Sequence, residues 1–167
     1  VYISFFYGLR DLFFRKIPIP NIYKPAIGGL MVGIIALWLP QIMAGGYGWV
    51  QIAIDGEWGS DPWSAIRLML ILAAAKIVAT SCTISSGGSG GVFAPSLFIG
   101  AMLGGAYGLA CQQLFGDFYV PQPGAYVLIG MAGFFAGVAK VPLTSLLMVT
   151  EMSGSYELLV PLMVVST

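Results

Sequence analysis

The chain has 167 residues, 58% of them hydrophobic and 8% charged, with a mean hydropathy of +0.90; ordinary soluble domains carry about 25% charged residues, so the composition is that of a membrane protein. Seven basic residues balance seven acidic ones, which leaves neither the bulk positive field nor the basic patch with interleaved aromatics that nucleic-acid binding requires. There is no histidine and no serine has a base beside it, which argues against a membrane hydrolase or transferase; no catalytic residue, metal site or cofactor is expected.

The first apolar piece, Val1 to Leu9, is followed by Arg10, Arg15, Lys16 and Lys24 around the turn KIPIPN, a cluster that should face the cytoplasm. No basic leader or small-residue cleavage site marks Val1 to Phe14 as a secretory signal. Lys24 to Pro40 approaches the roughly 20 residues that cross a bilayer and begins with a proline that a first helical turn tolerates. Beyond it, QIMAGGYGWVQIAIDGEWGSD holds Asp55, Glu57 and Asp61 without a basic residue; this sidedness fits one outward crossing, and no helix is assigned to the stretch.

Pro62 to about Cys82 reads as a second long helix, with Asp61 near its start. Lys76 lies deep within it, where an ionisable group is costly and must find a partner or water. Cys82, like Cys111, sits in apolar surroundings and reads as a small buried hydrophobe rather than a disulfide or metal ligand. A third helix is expected from about Ala94 to Leu114, then a polar break FGDFYVPQPG. Shorter pieces follow at Ala125 to about Val138, Pro142 to Met152, and from Tyr156 onward. The Pro142 piece is about 16 Å long at 1.5 Å per residue, against a hydrocarbon core of about 30 Å. It cannot span alone, and such half-length helices belong where their ends are buried in protein or line a cavity. The pairs Gly29 and Gly33, Gly100 and Gly104, Gly104 and Gly108, and Gly133 and Gly137 either let helices approach closely or reflect the ordinary glycine content of membrane helices. Glu151 reads as a structural acid satisfied by nearby backbone or hydroxyls rather than a proton relay, Glu157 as a helix-start acid, and Lys140 as an interfacial charge.

The segment SSGGSGGVFAP, Ser85 to Pro95, is the most informative. Glycine serves where the backbone must turn at positive φ or come very close to a neighbour. A helix beginning here presents backbone N–H groups with no internal partner and the positive end of its dipole, which together attract anions. Pro95, read at the first helical position, loses little; the donors left are those of Gly91, Val92, Phe93 and Ala94. Between Asp61 and Asp117 there is no carboxylate, whereas Arg67 and Lys76 both fall inside that window, so a cation, which favours carboxylate oxygens, is the poorer guest. The loop lacks the last glycine of a dinucleotide fingerprint and no Gly-Lys-Ser/Thr follows it, so nucleotide binding is disfavoured. The remaining alternative is a loop whose glycines only permit helices to pack closely.

The residues SSGGSGGVFAPSLFIGAMLG and GMAGFFAGVAKVPLTSLLMVTEMSGSYELLVPLMVVS resemble the CLC family of voltage-gated chloride channels and proton-coupled chloride exchangers. The first looks like that family's Gly-x-Phe-x-Pro anion filter and following helix, the second like its next three helices. AAAKIVATSCT fits the helix leading into the filter, with Lys76 at a position often basic there. The resemblance implies an all-α, multi-pass protein of the bilayer, built as two inverted halves with broken helices aimed at a chloride path, and a homodimer with one path per subunit. Residues 1–167 would form a single partial transmembrane domain, most of the second half, truncated at both ends. Carried over by position, Val92 and Phe93 give backbone amides to the central chloride and Ala94 to a neighbouring site, with Gly88, Gly90, Gly91 and Pro95 forming the filter loop. Ser89 stands where many relatives have proline, a departure that bears on loop rigidity. The family's serine and gating-glutamate stretches belong upstream of Val1 and its chloride-contacting tyrosine downstream of Thr167. Tyr107 does not replace that tyrosine, since fourteen residues of helix past Phe93 is about 21 Å. Channel and exchanger both stay open, as does a membrane scaffold without transport of its own. The short helices after Pro142 are where a dimer contact is expected, at Leu147 or Leu162.

Overall fold

Proline and glycine punctuate the chain into helices. The computed structural model describes residues 7–8, 20, 22–43, 45–56, 61–116, 122–154, 156 and 159–166; Arg10, Arg15, Lys16, Glu57, Asp117, Glu157 and most of Val1 to Leu9 lie outside them. In chain order the helices are α1 (Lys24–Trp38), α2 (Tyr47–Asp55), α3 (Pro62–Ser85), α4 (Phe93–Phe115), α5 (Pro123–Ala139), α6 (Pro142–Ser153) and α7 (Leu159–Ser166), with a 3-10 turn at Pro40–Ile42 after α1. No strand occurs among the described residues, so the all-α expectation holds. A proline occupies the first or second position of α1, α3, α5 and α6, where its missing N–H had no intrahelical acceptor to lose.

Among the described residues, two helices, α3 with 24 residues and α4 with 23, are long and apolar enough to cross a membrane. Lys24 to Pro40 is shorter than expected. Pro40 cannot continue the helix, so α1 stops after 15 residues, about 22 Å, and the chain turns through Pro40–Ile42. Helix α6, 12 residues long, is the half-length element that the Pro142 segment suggested. The acidic stretch holds a helix the sequence reading did not assign: α2 runs from Gly46 at φ +69 to Gly56 at φ +76, two glycines whose left-handed backbone bounds it, and it buries Val50 and Ala53.

Helix α4 is the centre of the fold. It packs between α3 and α5, and Leu97, Ile99, Ala101 and Met102 are completely inaccessible. Its hydrophobic residues surround it rather than forming one stripe, as expected of a helix covered on several sides. Gly100, Gly104 and Gly108 meet the backbone of α5 directly: a Cβ on Gly100 would strike the Gly130 carbonyl, one on Gly104 the Tyr126 carbonyl, and one on Gly108 would lie 2.9 Å from the Tyr126 Cβ. Gly29, Gly33 and Gly137 have open space at that position among the described residues, and Gly133 meets the Val165 side chain. Among these pairs, close approach to the backbone of a neighbouring helix is therefore confined to the α4 set. On α1 the glycine in tight contact is Gly28, against Ser86 and the Cys82 carbonyl.

The end of α7 folds back on this core. Leu162 is 1% exposed and belongs to the buried cluster, which corrects its placement on an outer dimer face. Leu147, at 53% exposure, does face outward.

Candidate functional site

The loop between α3 and α4 divides its glycines between two tasks. Gly87 adopts φ +87 while its N–H donates to the Ile84 carbonyl at 3.0 Å and that of Gly88 to the Thr83 carbonyl at 3.1 Å. This pair of bonds around a left-handed residue is the Schellman arrangement that closes a helix C-terminus. Gly88 is pressed so near Thr83 that a Cβ would lie 2.8 Å from the Thr83 oxygen. Positive φ thus falls on Gly87, a residue not singled out by sequence. Gly90 and Gly91 have neither positive φ nor a crowded Cβ position; they are exposed and line a cavity of about 310 Å³ beside the start of α4.

Helix α4 starts at Phe93, with Val92 as its cap at φ −93 and ψ −11. Pro95 is consequently its third residue rather than its first, still within the turn whose N–H groups have no intrahelical acceptors. The Val92 carbonyl accepts from the Ser96 amide at 3.1 Å, and the Ser96 hydroxyl donates to the Phe93 carbonyl at 2.7 Å. Ser96 is wholly buried. The Phe93 ring meets Phe135 of α5 edge-on, with centroids 5.0 Å apart at 82°. Carbonyls and the aromatic side chain are thereby held by the protein, while the amides of Val92, Phe93 and Ala94 find no acceptor among the described residues. Three donors without an acceptor among the described residues thus stand at the positive end of a 23-residue helix, the kind of terminus that attracts negative charge. Val92, Phe93, Ala94 and Pro95 are brought together here, with Gly90 and Gly91 beside them, whereas Gly88 belongs to the helix end before it.

The cavity is walled by α1, α3 and the loop, through residues that include Gly33, Lys76, Thr80, Gly91 and Pro95. Lys76 is 4% exposed. The partner it requires is a backbone oxygen: its Nζ donates to the Ile42 carbonyl at 2.6 Å and lies 5.2 Å from the centre of the Phe98 ring, within cation–π range. Nothing local in the sequence pairs Lys76 with a carbonyl thirty-four residues away.

The other candidates take structural places. Glu151 is exposed and accepts from the Tyr156 hydroxyl at 3.3 Å, the kind of local partner expected of it. Tyr107 is 63% exposed and stacks at a tilt on Tyr126, centroids 5.9 Å apart, well along α4 from its first turn. Lys140 caps α5 in the left-handed region at φ +58, its N–H donating to the Ala136 carbonyl at 2.8 Å. Cys82 is fully buried in α3.

Comparison with known sequences bears on this geometry. The family model described as voltage gated chloride channel matches residues 1–167. The chain belongs to that family. It is accordingly a membrane protein. Similar proteins include "Chloride channel protein CLC-f" of Arabidopsis thaliana, 41% identical over 167 residues, an alignment covering 96% of this chain and 21% of the relative. "H(+)/Cl(-) exchange transporter ClcA" of Cronobacter sakazakii is 35% identical over 139 residues, covering 83% and 28%. "Putative chloride channel protein ClcB-like" of Ralstonia nicotianae is 35% identical over 150 residues, covering 90% and 33%. The chain therefore spans between 21% and 33% of the length of these voltage-gated chloride channel relatives.

Proposed function

We propose that the protein containing this chain moves chloride across a membrane, with the central anion held by the backbone amides of Val92 and Phe93 and a neighbouring position served by Ala94. The observation that carries the reading is the first turn of α4. Its three amides have no acceptor among the described residues, in a stretch without a carboxylate from Asp61 to Asp117. A dehydrated anion loses water contacts that such amides replace, and the apolar surroundings strengthen each replacement. Gly88, Gly90, Gly91 and Pro95 frame this filter: Gly88 by ending α3, the others by keeping side-chain bulk and a competing N–H away from it.

In this reading the 167 residues are most of one of two inverted halves of a multi-pass protein, with broken helices such as α6 ending inside it. Transport rather than catalysis is its activity, chloride its ligand, the lipid bilayer its surroundings and a second copy its partner. Both a chloride channel and a proton-coupled exchanger stand among the similar proteins, and an amide filter serves either.

The test replaces the Val92 N–H with an ester oxygen in the full-length protein and titrates chloride by calorimetry. A charge-assisted hydrogen bond contributes about 1.5 to 3 kcal/mol, so affinity should fall about ten- to a hundredfold. Wild-type affinity in the ester variant would exclude Val92 as an anion donor. The scaffold reading is separated by reconstitution: the full-length protein should carry chloride into vesicles, whereas these 167 residues alone, lacking the other wall of the path, should not. Equal absence of flux from both would favour the scaffold.

A further inference from the structure

Resting on the filter reading above, we propose that Lys76 is a positioning residue for the anion path: its ammonium ties the turn after α1 to the start of α4 and so sets where the amides of Val92, Phe93 and Ala94 point. The chain of contacts runs through three elements. From α3, Lys76 Nζ donates to the Ile42 carbonyl at 2.6 Å, which ends the 3-10 turn Pro40–Ile42. The same Nζ lies over the ring of Phe98, 5.2 Å from its centroid. Phe98 is 1% exposed and belongs to the buried core, and one of its neighbours is the backbone of Gly46, where a Cβ would lie 2.5 Å from two ring carbons. The ring is thus held between the ammonium and the segment that opens α2. Phe98 stands five residues beyond Phe93, about 7.5 Å along the same rigid helix, so fixing Phe98 fixes the azimuth and height of the filter turn.

Packing is incomplete on that side. Between the filter loop and α1 lies the cavity of about 310 Å³, with Lys76, Ile42, Gly90, Gly91 and Pro95 all in its wall. At the α3 end the loop is held to α1 by the contact of Gly28 with Ser86; farther along, Gly90 and Gly91 face Val32, Gly33 and Ala36 across the gap, and the ammonium in its wall supplies a fixed point there. A charged nitrogen suits the task because it donates to a carbonyl and attracts a ring face at once. Methionine, of similar length, does neither; arginine does both.

The experiment uses the full-length protein with Lys76→Met, Lys76→Arg and Phe98→Leu, the Val92 ester serving as reference. Chloride and nitrate affinities are measured by calorimetry, and their relative fluxes in vesicles. A displaced filter changes the ratio between anions of different shape. Lys76→Met should shift the chloride-to-nitrate ratio by about three- to tenfold, Lys76→Arg should restore it, and Phe98→Leu should shift it the same way by less. An unchanged ratio in Lys76→Met overturns the proposal. So does an equal loss of affinity for both anions, which would mark a direct charge effect on the ion. If Lys76→Met does not fold, Phe98→Leu decides, and a wild-type ratio there overturns it. An ester variant that weakens chloride binding beside a Lys76→Met variant that leaves the ratio intact rejects the positioning role while the filter reading stands; an ester without effect rejects the filter reading itself.

Discussion

At residue 92 a side chain and an amide can be changed separately, and the two changes should have opposite outcomes. The Val92 side chain is 46% exposed, so Val92→Ile adds a methylene without a collision and should leave chloride affinity within about twofold, as calorimetric titration would verify. Proline at the same position is a poorer probe of the amide than an ester, because Val92 sits at φ −93 and the pyrrolidine ring prefers about −65°. A comparable shift from Val92→Ile would mean that the side chain lines the path. That these amides lack acceptors was legible in the sequence because helix N-termini leave amides free wherever a helix begins, and glycine followed by Val-Phe-Ala-Pro marks a beginning. The partner of Lys76 was not legible. A buried ammonium requires an acceptor, but which carbonyl approaches it depends on how α1 turns at Pro40, a tertiary fact. Gly87 was hidden for a related reason: four glycines in one loop look alike until hydrogen bonds single out the one at the end of α3.

Among elements, the contrast between glycines on α4 and α5 gives a direct measurement of close approach. Gly104 faces the Tyr126 carbonyl, with the Gly130 Cα 3.0 Å from where a Cβ would be. Gly104→Ala must push the two helices apart, an overpacking cost of about 1 to 3 kcal/mol. Gly137→Ala enters open space and replaces a helical glycine, which should stabilise by about 0.5 to 1 kcal/mol. Thermal unfolding in detergent should therefore move in opposite directions for the two variants, and equal shifts would show that the α4–α5 contact does not depend on bare backbone. Both residues belong to small-xxx-small pairs of the same sequence form, so spacing alone could not rank them; the difference is which face of each helix has a neighbour. Helix starts at Pro62 and Pro142 were readable because proline fixes the first turn. Helix α2 was not, because Gly45, Gly46 and Gly48 look like a loop by propensity while burial of Val50 and Ala53 overrides them.

For the whole molecule, the proposed homodimer must be distinguished from mere lipid contact, since apolar exposure serves either role in a bilayer. Two outward surfaces compete. One is formed by α6 and α7, where Leu143, Leu147, Met163 and Val164 are all exposed; the other is the groove of about 510 Å³ along α4 and α5 that includes Leu103, Tyr107 and Tyr126. An arginine on either surface costs a similar amount if it faces lipid, about 2.5 to 3.5 kcal/mol at mid-membrane depth and less where the side chain snorkels. That common cost cancels when the two variants are compared. At a protomer interface the same arginine also meets an apolar partner surface with no water and no counter-ion, which adds the penalty of an unpaired buried charge. Leu147→Arg should accordingly shift the full-length protein toward monomers by light scattering in detergent, whereas Leu103→Arg should keep the dimer mass. Leu162→Arg is a different experiment: at 1% exposure its side chain is part of the core, and the substitution should lower thermal stability whatever the oligomeric state. Dissociation by Leu103→Arg with an intact Leu147→Arg dimer would move the interface to the α4–α5 groove, beside the glycine contacts, and leave α6 and α7 facing lipid.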